Sequence, residues 1–238
     1  MKKTILFIAS AILLLACGKT ENEQDLKDMF IGYGSSDISR NRPEIYDNLQ
    51  PTQNVYSQEF NNSASSDWSN KNDDNAVQSH TNGELVIQGK KNYYTWQNVA
   101  NLNQSLDFQI ELRVQFNFAT VIGNDTSMGI VYGVNNSSST TLNYIYLFNN
   151  DKHTIQIGYY DGKNFDNWYA QPSNLTKNVH HIYTIRKAGS AIYIFANKKF
   201  LCKTTYKSFL SNYGFWLTQG GIISVDYVKI DYIEEKEK

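Results

Sequence analysis

Two short segments of this 238-residue chain crowd aromatic rings beside amides and carboxylates. One is Tyr93-Tyr94-Thr95-Trp96-Gln97-Asn98, and the other runs from Tyr159 to Tyr169 through Asp161, Asn164, Phe165 and Trp168. An amphipathic ring offers a flat apolar face and a polar edge. Such a face suits the CH side of a sugar, and nearby amides and carboxylates can fix its hydroxyl groups. The candidate ligand contacts are therefore Tyr94, Trp96, Asp161, Asn164, Trp168 and Tyr169. The competing account makes Trp68, Trp96, Trp168 and Trp216 core anchors.

No catalytic residue is assigned. Glycoside hydrolysis takes two carboxyl groups about 5 to 9.5 Å apart. Glu111, on a polar strand face, and Asp226, opening the last strand, are the nearest to a pair, but solvated or turn-capping roles account for both. His180 and His181 are adjacent, so on a strand they point to opposite faces and cannot easily chelate one ion. His80 and His153 stand alone in turn-like settings. Cys202, within Phe200-Leu201-Cys202, reads as a small core residue. Gly-x-Ser-x-Gly, His-Glu-x-x-His and phosphate-loop motifs are absent. Asn72-Asp73-Asp74 reads as a solvated turn, so no metal site is assigned and no cofactor is expected.

The elements that must position these residues are strands. From Leu106 to Phe118 the residues Phe108, Ile110, Leu112, Val114 and Phe116 alternate with Gln109, Glu111, Arg113, Gln115 and Asn117. Strict alternation buries one face and solvates the other. Ten further aromatic and β-branched runs follow the same habit, separated by Asn, Gly, Ser and Asp. Asn82-Gly83, Asp161-Gly162 and Gly220-Gly221 tolerate the positive φ of tight hairpins. About a dozen strands with frequent turns predict a single all-β domain, an antiparallel β-sandwich over residues 58–234.

The first seventeen residues carry a different chemistry. Lys2-Lys3, an apolar run from Ile5 to Leu15 and then Ala16-Cys17-Gly18 have the order of an export signal. The apolar run is well short of the roughly 20 residues that span a bilayer. The stretch resembles the bacterial lipobox, which implies a signal over residues 1–16 and lipidation of Cys17 with acyl chains such as palmitate. Residues 17–57 are polar and read as a tether. The location implied is the cell envelope, lipid-anchored, most readily in the outer membrane of a Gram-negative bacterium. With Cys17 acylated, Cys202 has no intramolecular partner, and the domain must be held by its core. The net charge of −1 offers no basic stripe for nucleic acid.

The order of motifs after the tether resembles concanavalin A-like jelly-roll domains, the group that includes laminin-G-like and sugar-hydrolase-associated sandwiches. It runs from Glu59-Phe60 and Trp68 through Gly83-Glu84-Leu85-Val86-Ile87, Asp107-Phe108-Gln109-Ile110-Glu111 and Gly129-Ile130-Val131-Tyr132-Gly133. It continues through residues 185–197 and closes on Val225-Asp226-Tyr227-Val228-Lys229-Ile230. The resemblance implies a glycan-binding or glycan-associated module, and its fold group admits a structural Ca²⁺. The Glu-x-Asp-x-x-Glu strand of laminarinase-like members is missing here, which favours binding over a hydrolase-like enzyme of the same fold. A third reading is an interaction or structural envelope lipoprotein with a protein partner and no sugar ligand. Fold transfers across such a resemblance better than function.

Overall fold

The computed structural model describes residues 48–61, 68–99, 101–117, 127–135, 141–148, 154–172, 178–205 and 212–236; the side chains of 148, 167–172 and 205 lie outside this set. The signal, Cys17, most of the expected tether and His153 also fall outside it.

Alternating apolar residues set the strands in chain order. They are β1 (Leu49–Glu59), β2 (Lys71–Asn72), β3 (Ala76–Thr81), β4 (Glu84–Gly89), β5 (Tyr93–Asn98), β6 (Phe108–Asn117), β7 (Ser127–Asn135) and β8 (Thr141–Phe148). Then come β9 (Thr154–Tyr160), β10 (Phe165–Pro172), β11 (His181–Ala188), β12 (Ala191–Ala196), β13 (Lys199–Thr205), β14 (Asn212–Leu217) and β15 (Ile222–Glu235). They form two antiparallel sheets. The first has the order β13-β12-β11-β6-β15-β4-β3-β2, with β1 also on β15; the second has the order β10-β9-β8-β7-β14-β5. The all-β sandwich expected from the alternation is the architecture found.

The inner faces meet as alternation requires. Ile110, Leu112, Ile185, Ile194, Val228 and Ile230 come from the first sheet; Met128, Ile130, Ile145, Leu147, Ile157 and Phe215 come from the second, and all are buried. Each large apolar side chain fully removed from water contributes roughly 1.5 to 3 kcal/mol. Trp68 is a core anchor, its ring 5.6 Å from Phe215 and 6.1 Å from Tyr213. Its Nε1 donates to the Tyr213 hydroxyl, which in turn donates to Tyr56 of β1. A partly buried polar chain thus stitches the sheets together. Cys202 lies in the core opposite Ile194, and burial pushes its thiol pKa upward.

Turn chemistry holds where it was expected. Asn82 and Gly83 both take positive φ between β3 and β4, and Asn197 and Lys198 do so between β12 and β13. Two placements differ from expectation. Strand β1 occupies Leu49–Glu59, inside the segment read as tether, because it pairs with β15 from Leu49↔Glu235 onward; the compact unit begins at Asn48. His80 is a strand residue of β3, not a turn residue, and its ring contacts the Asn70 amide oxygen at 3.0 Å.

Candidate functional site

The outer face of the second sheet gathers rings from five of its six strands, β7 adding glycine and valine. Register fixes the arrangement: Tyr94 lies opposite Trp216, Trp216 opposite Gly129, and Gly129 opposite Tyr146. One row along, Trp96 faces Gly214, Gly214 faces Val131, Val131 faces Tyr144, and Tyr144 faces Gly158. Residues opposite one another in neighbouring strands share a face. All of these therefore point away from the inter-sheet core.

Glycine shapes this face. The ring of Tyr146 covers Gly129 so closely that an added Cβ would sit 2.6 Å from Cδ1, and an added Cβ at Gly158 would sit 2.8 Å from Tyr144 Cζ. The two tyrosines therefore recline over neighbouring strands in place of standing upright. Their centroids are 4.5 Å apart with planes 24° from parallel, giving a stacked floor. Val131, Val134, Leu142, Tyr144 and Tyr146 are buried in that floor, and Tyr94, Trp96, Tyr160 and Trp216 pack half-buried on it. A bulge at Gly133, with φ of 62°, brings Val134 into the group. Asn212 caps the bulge, donating to the Val134 carbonyl at 2.7 Å and accepting from its N–H at 2.6 Å.

Burial is the main cause that raises the pKa of Tyr94, Tyr144 and Tyr146; for Tyr144 the Asp166 charge adds to it. These phenols stay neutral at any ordinary pH. Trp216 Nε1 donates to Ser127 Oγ at 3.0 Å, which fixes the indole. Phe165 is the exposed member at 55%, with its ring 4.6 Å from Tyr160 and 5.6 Å from Tyr144.

Of the expected contacts, Tyr94 and Trp96 lie on this face. Asp161 and Asn164 occupy the β9–β10 turn and build it. The Asp161 carboxylate accepts the N–H groups of Lys163 at 2.7 Å and Asn164 at 2.6 Å, and the Asn164 amide reaches its other oxygen at 3.4 Å. The backbone bond from Asn164, then that from Lys163, lowers the Asp161 pKa. Trp168 and Tyr169 belong to edge strand β10 in place of a loop; Tyr169 pairs with Ile157 and the register breaks at Trp168. Their side chains lie outside the described residues. Sequence reasoning missed Trp216, Tyr144, Tyr146, Tyr160 and Phe165. The signal was present in β8, where Leu142, Tyr144 and Tyr146 are apolar on one face and Ile145 and Leu147 on the other.

The suspected carboxylates are on the first sheet's outer face. Glu111 accepts from the Tyr227 hydroxyl at 2.9 Å, and Asp226 is ion-paired with Arg113. The second sheet's strands contain one carboxylate, Asp166. His181 is buried against Asn197 at 2.8 Å, whereas His180 approaches Glu84 at 3.2 Å. Asp73 accepts from the Asn75 and Ala76 N–H groups and pairs with Lys71, as a turn residue does. Among the described residues no group of three or more His, Cys, Asp or Glu could hold a metal ion.

No known family profile matches this sequence, and no curated protein matches it. Solved structures do share the fold. A Bacillus subtilis protein of unknown function with a galectin-like fold superposes with a TM-score of 0.57 at 7% identity, covering 79% of this chain and 100% of its own. The catalytic domain of an endo-1,3-β-glucanase (laminarinase) from Thermotoga petrophila superposes with a TM-score of 0.50 at 12% identity, covering 79% of this chain and 99% of its own. The fold is thus a jelly-roll sandwich of the galectin-like and concanavalin A-like kind.

Proposed function

We propose that this chain is a glycan-binding module and that the outer face of its second sheet is the binding surface. One observation carries the reading: a glycine-floored, ring-lined face whose half-buried indoles and phenols can stack on the apolar faces of sugars. The laminarinase fold neighbour acts on a β-glucan, which makes a glycan ligand a natural one for this architecture. Binding is favoured over hydrolysis because two facing carboxyl groups are needed for the latter, and the strands of this face supply Asp166 alone. The same proposal includes a lipid anchor at Cys17, supported by the Lys2-Lys3, apolar and Leu14-Leu15-Ala16-Cys17 pattern.

A glycan array probed with the purified full chain tests the binding. We expect capture of at least one glycan, with capture lost in a folded Trp216→Ala variant. Absence of any glycan capture, or capture that survives Trp216→Ala unchanged, overturns the reading. The anchor has its own test: Cys17→Ser should abolish acylation in the native host, and lipid-modified Cys17→Ser protein contradicts it.

A further inference from the structure

We infer that the ligand of this face is an uncharged, extended saccharide chain lying across the strands; the inference rests on the glycan-binding reading above. The first observation is the continuity of the rings. Tyr94 to Trp216 is 4.2 Å, Trp216 to Tyr146 6.3 Å, Tyr146 to Tyr144 4.5 Å, Tyr144 to Phe165 5.6 Å and Phe165 to Tyr160 4.6 Å, all centroid to centroid. This ribbon runs from β5 to β10; Tyr144 and Tyr146 are its buried floor, Tyr94, Trp216 and Tyr160 are its half-buried rings and Phe165 its exposed one. Five inter-strand spacings of about 4.8 Å make it roughly 24 Å long, far more than one sugar covers. A compact ligand would need only a pocket at one point.

The second observation is charge. The six strands of this sheet, from edge to edge, contain no lysine, arginine or histidine, and Asp166 is their only ionisable acid. Carboxylated or sulfated polysaccharides are held by charge-assisted bonds from arginine and lysine. None is provided here. Among the described residues near the ribbon's ends, Lys71 pairs with Asp73 at 2.8 Å, and Lys163 stands in the β9–β10 turn beside Asp161, whose carboxylate accepts its N–H. Burial also keeps the phenols of the floor neutral. An anionic chain would gain no ionic partner from these six strands and would meet the repulsion of Asp166.

The test is titration of the full chain with three probes: a soluble neutral β-glucan, a graded series of neutral gluco-oligosaccharides, and polygalacturonate as the acidic comparator. Each titration is run at about 0.05 M and about 0.5 M salt, which spans strong and weak screening. We expect the neutral polymer to bind with less than about a twofold change between the two salt conditions, since no ion pairs are screened. Affinity should rise along the oligosaccharide series, and Phe165→Ala, at an exposed ring, should weaken the polymer by roughly tenfold through lost stacking. Preference for polygalacturonate, or neutral binding that collapses in high salt, overturns the uncharged class while leaving glycan binding intact. Affinity that is flat along the series, or unmoved by Phe165→Ala, overturns the extended ribbon. Failure of all three probes overturns this inference, and glycan binding itself falls only if the array is also blank.

Discussion

The two sheets share one core and one pleat, yet their outer faces are built on opposite principles. Across the first sheet Asn54, Asp231, Gln109 and Arg186 form a row of polar side chains. The Asp231 carboxylate accepts from Asn54 at 2.9 Å and Gln109 at 3.3 Å, and Gln109 accepts from Arg186 Nε at 3.0 Å. Lys229 adds an ion pair to Asp231 at 3.3 Å. Across the second sheet the equivalent rows hold rings and glycines. A polar row stabilises only while every member has its partner, and it offers a ligand few unspent donors. A ring floor is indifferent to partners on its open side. The contrast teaches that stability was placed in specific pairs on one face, and stickiness in shape on the other.

The comparison breaks most visibly at Asp231. Asp231→Ala strips the buried row of its shared acceptor and leaves cationic and amide donors without it, so urea unfolding should show a loss of about 3 to 5 kcal/mol. Glycan capture by the folded fraction should be unchanged; a loss below 1 kcal/mol would refute the network's role. On the opposite face, Gly158→Ala drives a methyl into the Tyr144 ring and the Asp166 carbonyl, and overpacking of this kind costs about 1 to 3 kcal/mol. Tilting the floor should also weaken binding, which an unaltered isotherm would contradict. Trp216→Ala removes a half-buried ring and should cost about 1 to 2 kcal/mol in a thermal or urea melt, part of the value for full burial, while binding is lost. Arg113→Ala, at a solvent-screened ion pair on the first sheet, should shift stability by less than about 1 kcal/mol and leave binding alone.

Acid provides the finest distinction. The Asp73 pKa is lowered from 3.8 to about 2, first by its hydrogen bond with Lys71 and then by the Ala76 and Asn75 N–H groups. A depressed carboxylate contributes stability above its ordinary pKa and loses it as pH falls through the folded value. The window for Asp73 is therefore pH 4 down to 2; Asp161, in the β9–β10 turn of the second sheet, is lowered as well by its Asn164 and Lys163 N–H groups. NMR titration of the Asp73 carboxyl should find a midpoint clearly below 3. A midpoint near 4 would show that the turn does not hold it.

Much of this was readable in the sequence, for reasons particular residues make plain. In β6 each inward side chain is apolar and each outward one polar, so periodicity alone gives the strand and its buried face. The hairpins followed from Asn82-Gly83 and Asp161-Gly162, whose glycines take positive φ that few other residues accept. Tyr94 and Trp96 were found because their ring content is unusual. Trp216, Tyr144 and Tyr146 were not, because apolar residues on both faces of β8 and β14 look like deep core until the sheet order shows, among the described residues, two layers of strands with these rings on the outer side of one. Strand β10 is hard to read because Asp161, Gly162 and Asn164 carry turn signals up to its edge and mix with its rings. Register, which depends on pairing distant segments, is what local pattern cannot supply: the Tyr94–Trp216 neighbours are separated by most of the domain.

The pairing of β1 with β15 has a topological side. Leu49 lies opposite Glu235, and the Lys236 N–H donates to the Asn48 carbonyl at 2.7 Å. The polypeptide of the domain therefore begins and ends at one point and is close to a closed ring. Such a chain can be cut and rejoined: a short peptide bridging 236 to 48, with a new opening at the exposed Asn197-Lys198 turn, would keep every strand pairing while shifting where the molecule starts. Sealing the ring without a cut would shrink the freedom of the unfolded chain and leave the folded one untouched.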